Sequence, residues 1–269
     1  MRFAEQDGAK TVIEIKASQV TPALRSLFDP NMPTAIRCFA VLDGGNAGRI
    51  LTDDPGSPHW AYVWEADDGA LYRGGDQDAD VLLDVVTTLR QDGLVALGFR
   101  DGDPSLSLFP PDPNAGASCL ELDRPMGGSD LSPYLGRPTG YEIYRMDREM
   151  LEASPHREGT ISRYGSIEGF LARGIAVSLM HGRATVCEAY ADMEVMGVRE
   201  LGVTTQKAYR GQGFATITCA HLIILCEKGE SATYWDCAKL NRASAALARR
   251  LGFRNEREYR LLAWFPTTV

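Results

Sequence analysis

Two periods of hydrophobicity run through this chain, and the period names the element. Short runs of continuous or alternating apolar residues, rich in β-branched and aromatic types, fall at 36–42, 49–52, 60–65, 94–99, 141–146, 174–180, 184–190, 199–205, 232–237 and 258–265 and predict strands. Helical spacing appears at 79–91, where Val81, Leu82, Val85, Val86 and Leu89 share one face behind a cap at Asp78 or Asp80. It recurs at 214–228, where Ala215, Cys219, Leu222, Ile223 and Cys226 do the same. Shorter helices are predicted at 22–28, at 147–153 and 166–172 behind caps at Asp147 and Ser166, and at 241–250. Glycine-bearing breaks at 44–48, 53–58, 74–76 and 181–183 separate these runs.

Between 101 and 140 the periodicity fades. Pro, Gly, Asp and Ser dominate there, so the stretch reads as a linker holding at most one short strand at 119–122. A chain of 269 residues accommodates two ordinary domains. The pattern predicts an α+β N-terminal domain over 1–122, a linker over 123–140 and a second domain over 141–269. In the second domain the order is β-α-α-β-β-β-α-β-α-β. A helix separates strand 199–205 from strand 232–237, which makes their pairing parallel.

Composition narrows the class. Apolar content of 44% with 24% charged residues is that of a globular protein, and the net charge of −8 argues against sequence-independent nucleic-acid binding. An acidic surface suits a cationic or amine substrate. The chain starts without an apolar leader, and its most apolar run is too short and too polar to span a bilayer. Cytoplasm without membrane attachment is the expectation. The cysteines at 38, 119, 187, 219, 226 and 237 show no paired spacing, so buried reduced thiols are expected. His59, His156 and His181 have no metal-ligand spacing, and no metal is expected.

The sharpest chemical signal is Arg210-Gly211-Gln212-Gly213-Phe214-Ala215, between a predicted strand and a predicted helix. Such a turn gathers backbone N–H groups at the positive end of a helix and forms an anion site, with phosphate the usual guest. No Gly-Lys-Ser/Thr follows and Gly-x-Gly-x-x-Gly is absent, so the site is neither a Walker loop nor a dinucleotide fingerprint. Its form, Arg-x-x-Gly-x-Ala, resembles the coenzyme A pyrophosphate loop of the GNAT superfamily of N-acetyltransferases. Trp235-Asp236-Cys237, then Asn241 and Ser244, then Leu251-Gly252-Phe253 continue that resemblance, which covers about 141–265. It is similar to the bacterial subgroup that carries an N-terminal accessory or degenerate GNAT-like domain. That half is read as structural support, as a homodimer surface or as a wall of the substrate pocket.

The resemblance implies acetyl-CoA as co-substrate and a primary amine of a small molecule as acceptor, with direct transfer. It implies pyrophosphate held by Arg210, Gly211, Gln212, Gly213, Phe214 and Ala215, and a pantetheine arm held by backbone groups of Val203 and Thr205 and by Asn241. An alkylammonium has a pKa near ~10 and must lose a proton before attack. Glu200 is the first candidate for that base, with Glu194 and Glu188 as rivals. The tyrosine that many relatives keep in the last helix is Ala248 here. Ser244 and Tyr234 stand as candidate acids in its place. His221, on another face of its helix, reads as a solvated or partly buried histidine rather than a catalyst, and Cys237 as a structural thiol. Two other readings stay open: a non-catalytic coenzyme A-binding or interaction module, and an enzyme moving another acyl group or using a hydroxyl acceptor.

Overall fold

The computed structural model describes residues 12–76, 78–103, 108, 113–192 and 194–266. Two compact units divide the chain. The first holds the residues up to Cys119 together with those from Glu258 onward; the second is Leu120–Arg257.

The first unit begins with β1 (Ile13–Ile15), α1 (Pro22–Arg25) and α2 (Ala35–Leu42). Segment 36–42, expected as a strand, lies in the helix α2. Ala35, Cys38, Phe39, Ala40, Val41 and Leu42 are all buried, and an apolar run has the same pattern in a buried helix as in a buried strand. There follow β2 (Gly48–Thr52), β3 (Trp60–Glu65), β4 (Ala70–Gly75), α3 (Ala79–Leu89) and β5 (Val95–Phe99). Strand β4 escaped the sequence reading because its two glycines mimic a break. Asp78 caps α3, accepting from the N–H groups of Asp80 and Val81. The predicted apolar face, from Val81 to Leu89, is buried against β3, β4 and β5 in a core that includes Tyr62, Trp64, Leu71 and Leu97.

The second unit contains the C-terminal half of β6 (Ala115–Arg124), then β7 (Tyr141–Arg145), α4 (Arg148–Ala153), α5 (Arg157–Tyr164) and α6 (Ile167–Arg173). After these come β8 (Ile175–His181), β9 (Ala184–Ala191), β10 (Val198–Thr205), α7 (Phe214–Lys228), β11 (Ala232–Ala238) and α8 (Arg242–Arg250). Its strand order is β6-β11-β10-β9-β8-β7. As expected, β10 and β11 run parallel, while β10–β9, β9–β8 and β8–β7 are antiparallel. Helix α7 packs on one face of this sheet, where Leu120, Leu122, Val177, Leu201, Leu222, Ile223 and Trp235 form one core. Each such side chain contributes roughly 1.5–3 kcal/mol by leaving water.

The stretch 101–140 is more than a linker. Strand β6 occupies its middle, Leu131 is buried, and the buried guanidinium of Arg124 donates to the carbonyls of Leu251 at 3.0 Å and Ser129 at 2.9 Å while pairing with Glu227. Flanking Pro and Gly diluted that signal. Helix α5 was not foreseen: it is mostly polar, and Gly165, left-handed at φ 78°, ends it. The final strand, β12 (Arg254–Trp264), pairs antiparallel with β5, Arg260 opposite Phe99 and Trp264 opposite Val95. From Glu258 it belongs to the first unit, although the sequence grouped it with the second half.

The two units repeat one plan. Strand, helices, three antiparallel strands, helix and parallel strand occur as β1-α1-α2-β2-β3-β4-α3-β5 and again as β7-α4-α5-α6-β8-β9-β10-α7-β11.

Candidate active site

In the second unit the parallel strands share a short ladder. Val198, Arg199 and Glu200 of β10 pair with Ala232, Thr233 and Tyr234 of β11. Beyond Glu200, β10 continues against β9, Leu201–Thr205 opposite Ala191–Cys187, and β11 runs on to Ala238. The two parallel strands thus open as a wedge. Along a strand, alternate residues turn their N–H and C=O groups to opposite edges. Some backbone groups of 201–205 therefore face the wedge instead of β9.

The predicted anion loop lies at the wedge's open end. Gly211 and Gly213 have φ of 78° and 82°, and Gly213 is the N-cap of α7. A Cβ at either would meet no atom within 4 Å, so the left-handed backbone, not crowding, is what asks for glycine. Helix α7 starts without a side-chain cap; Thr216 and Ile217 donate to the Gly213 carbonyl at 3.0 and 3.3 Å, and the N–H groups of Phe214 and Ala215 ahead of them have no intrahelical acceptor. Phe214 fixes this start: it is buried, with its ring 4.7 Å from Tyr141 and 6.3 Å from Tyr209. Arg210 donates from Nε to the Thr205 carbonyl at 3.1 Å, closing the neck of the loop with its side chain exposed. Gln212 reaches the Ala208 carbonyl at 3.4 Å, and Ala215 packs beside Phe214 in the same small core.

Val203 packs toward α7, and the Thr205 hydroxyl donates to Cys187 Sγ at 3.2 Å. What these two residues offer the wedge is backbone. Asn241 caps α8 by accepting from the Ser244 N–H at 3.2 Å. The Ser244 hydroxyl accepts the Trp235 indole N–H at 3.0 Å. Tyr234, the next residue along β11, faces the other way and donates to buried Glu121 at 2.5 Å. Ser244 and Tyr234 are thus on opposite faces of β11. Burial, reinforced by the charges of Glu121, Asp236 and Glu200, pushes the Tyr234 phenol well above its ordinary range. Ala248 is fully buried in the core.

The face of the sheet away from α7 carries carboxylates. Glu200 is buried on the last rung of the parallel ladder, beside Tyr234. Glu188 of β9 is opposite Thr204 of β10, level with the wedge. It is 5% exposed and accepts the Ser154 hydroxyl at 3.1 Å, with His156 Nε2 at 3.8 Å. Burial raises its carboxyl above the usual range; the Ser154 hydrogen bond and His156 pull the other way. His156 Nε2 is itself buried without a hydrogen-bond partner. Its ring approaches that of Tyr190, 6.1 Å away. Tyr190 lies over Gly202 of β10, where a Cβ would come within 2.3 Å of the tyrosine ring. Sequence reasoning missed Ser154 and Tyr190 and weighed His156 only as a metal ligand. An acidic residue inside the apolar run 184–190 was the one available signal.

Glu194 accepts from Ser231 at 2.7 Å and His221 contacts the Leu135 carbonyl at 3.2 Å. All six cysteines are buried and free, and burial pushes the Cys226 thiol up to about 12. Among the described residues no group of three or more His, Cys, Asp or Glu could hold a metal ion, and no helix is long and apolar enough to cross a membrane.

A mixed sheet with diverging parallel strands, and a glycine loop at the start of the crossover helix, define an acyltransferase architecture. Residues 133–262, just under half of the chain, match the family described as GNAT acetyltransferase. A Bacillus subtilis (strain 168) protein described as the uncharacterized N-acetyltransferase YdfB is 23% identical over 248 residues, 88% of this chain and 93% of its own length. The solved structure of a GCN5-related N-acetyltransferase-like protein from Streptococcus suis 89/1591 superposes with a TM-score of 0.68 at 21% identity, covering 91% of this chain and 98% of that one. A tandem GNAT protein from the clavulanic acid biosynthesis pathway matches with a TM-score of 0.60 at 11% identity, over 96% and 99% of the two chains. These likenesses carry the fold along nearly the whole chain.

Proposed function

We propose that this protein is an acetyl-CoA-dependent N-acetyltransferase that acts on a primary amine of a small-molecule acceptor by direct transfer. The observation that carries the reading is the wedge between β10 and β11 ending at two left-handed glycines and the uncapped start of α7. That donor set fits a pyrophosphate, which needs several N–H groups and the positive end of a helix. Arg210 adds charge at the rim. The backbone of Val203 and Thr205 fits an extended, amide-bearing arm, with Asn241 bordering it. Bound there, acetyl-CoA would supply the acetyl thioester that the acceptor amine attacks. A backbone N–H of 203–205 would polarise its carbonyl.

The chain's own work is to bring the acceptor in and take its proton. Glu188 suits this better than Glu200. It is level with the wedge, and its raised pKa brings a base closer to neutrality. Glu200, the base expected from its strand position, is further back beside Tyr234 and adds negative potential that attracts an ammonium. Neither Ser244 nor Tyr234 is favoured as an acid: the first is engaged by Trp235, and the second is a weakened acid facing Glu121. A thiol is acidic enough to leave as its anion without one.

The test is calorimetry with acetyl-CoA, coenzyme A and NADH, followed by thiol release over an amine panel. Micromolar binding of the coenzyme A species alone is expected, and Gly213→Glu should weaken it at least tenfold, because it sets a carboxylate and a strained backbone where pyrophosphate belongs. Undiminished affinity in that variant would sink the loop assignment. Binding without thiol release over the whole panel would favour a non-catalytic coenzyme A module.

A further inference from the structure

Nε2 of His156 is buried and has no hydrogen-bond partner among the described residues. The ring hangs from a tightly held backbone. Its N–H donates to Ser154 Oγ at 3.1 Å, and its carbonyl accepts the Thr160 hydroxyl at 3.1 Å and the Thr160 N–H at 3.0 Å. His156 is the N-cap of α5, yet its side chain makes no capping bond. The imidazole is turned instead toward Glu188 and Tyr190 of β9. A buried nitrogen without a partner is costly, so this one calls for a group that arrives with a ligand.

The neighbours say which group. His156 Nε2 is 3.8 Å from Glu188 Oε2. That is too long for a hydrogen bond, and short enough for one nitrogen about 2.9 Å from each atom to span both. The same carboxylate oxygen accepts the Ser154 hydroxyl, which fixes its place. With the ring proton on Nδ1, a neutral imidazole presents Nε2 as an acceptor. Two acceptors then face one spot. It lies beside Thr204 and Gly202 of β10, which pair with Glu188 and Tyr190 where the parallel strands part.

We propose that His156 is a specificity-determining residue for the acceptor: Nε2 holds the N–H that survives in the product, while Glu188 takes the one that is lost. The inference rests on the acetyl-transfer reading and narrows its acceptor to unsubstituted primary amines. The attacking form is R–NH2, with one lone pair and two N–H bonds. The lone pair forms the C–N bond, and the electron pair of the C–S bond departs with sulfur. One N–H proton moves to the Glu188 carboxylate. The other stays in the amide R–NH–CO–CH3, bonded to Nε2. A secondary amine has no second N–H and an alcohol has only one O–H, so each would leave Nε2 buried and unpaired. Sites that bond an N–H reject analogues lacking it for this reason.

The test takes each primary amine of the panel beside its N-methyl derivative and the matching alcohol. The primary amine should exceed both by roughly 100-fold or more in kcat/KM. His156→Leu should cut that preference at least tenfold. His156→Gln, whose side-chain carbonyl can accept in the same place, should restore most of it. Calorimetry gives a readout without turnover: the N-acetyl product of the primary amine should bind at least tenfold more weakly to His156→Leu, with coenzyme A affinity unchanged. His156→Ala replaces His156→Leu if the latter unfolds by circular dichroism. An equal loss for all three acceptors, with Gln no better than Leu, would mean a merely structural histidine and overturn the inference alone. An unmoved preference in His156→Leu does the same. No thiol release from any primary amine overturns the acetyl-transfer reading and this inference with it.

Discussion

Glu188 is a carboxylate in a strand whose neighbours, Cys187 and Ala189, are fully buried, and its meaning lies in its surroundings. Ser154 donates to it, His156 stands beside it, and burial raises its pKa. A base acts only when ionised, so the rate should fall as pH drops through that raised value, and the acid limb should lie above the ordinary carboxyl range. Glu188→Gln should lower kcat by roughly 10²–10⁴-fold and remove the limb. The stability sign runs opposite. A raised folded-state pKa favours the protonated form, so its stabilising contribution is present at low pH and is lost as pH rises through that pKa. At neutral pH, Glu188→Gln should therefore keep or raise Tm while activity falls. A lowered Tm with an unmoved pH–rate profile would return the base to Glu200. The family resemblance favoured Glu200 for its place near the start of the coenzyme-facing strand, whereas Glu188, opposite Thr204, comes level with the wedge from the neighbouring strand.

At the scale of elements, the site depends on β10 leaving β11 while holding β9. Gly202 is central to that second contact, since the Tyr190 ring occupies the space a side chain would need. Gly202→Ala should cost about 1–3 kcal/mol, the usual penalty of overpacking, and displace Tyr190 from beside His156. Thermal unfolding should show the loss, and steady-state kinetics a raised KM for the amine with little change for acetyl-CoA. Adding Tyr190→Ala should restore much of the stability, because it removes the clashing ring; a strictly additive double variant would refute the contact. The helices α3, α7 and α8 and most strands were legible from period and caps. Helix α2 was not, because burial on most sides erases the polar stripe that distinguishes a helix. Strand β4 was hidden by Gly74, whose role is to admit Leu27 from another part of the chain.

At the scale of the whole molecule, the last strand sets the ends in order. A chain stopping at Arg257 would appear from sequence to shorten the second half only. It would instead strip β5 of its antiparallel partner and remove Tyr259 and Trp264, buried to 5% and 2% exposure. Losing one buried aromatic costs about 3–5 kcal/mol, a large part of a domain's ~5–15 kcal/mol. Limited proteolysis and near-ultraviolet circular dichroism should find the first unit unfolded and the second retained. A protected first unit would mean that β12 is dispensable.

The sequence by itself determined the α+β class, the parallel crossover around α7, the glycine loop at its start and the Asn241 cap. Each of these is local: a period, a cap or a left-handed turn is written in consecutive residues. Tertiary structure alone decided that Glu121 faces Tyr234, that Ser154, His156 and Glu188 meet, that β12 returns to the first unit, and that Leu27 and Pro33 lie against β4 and β5. Those contacts join residues tens to hundreds of positions apart. Packing of one face against another selects them, and no local pattern records which faces will meet.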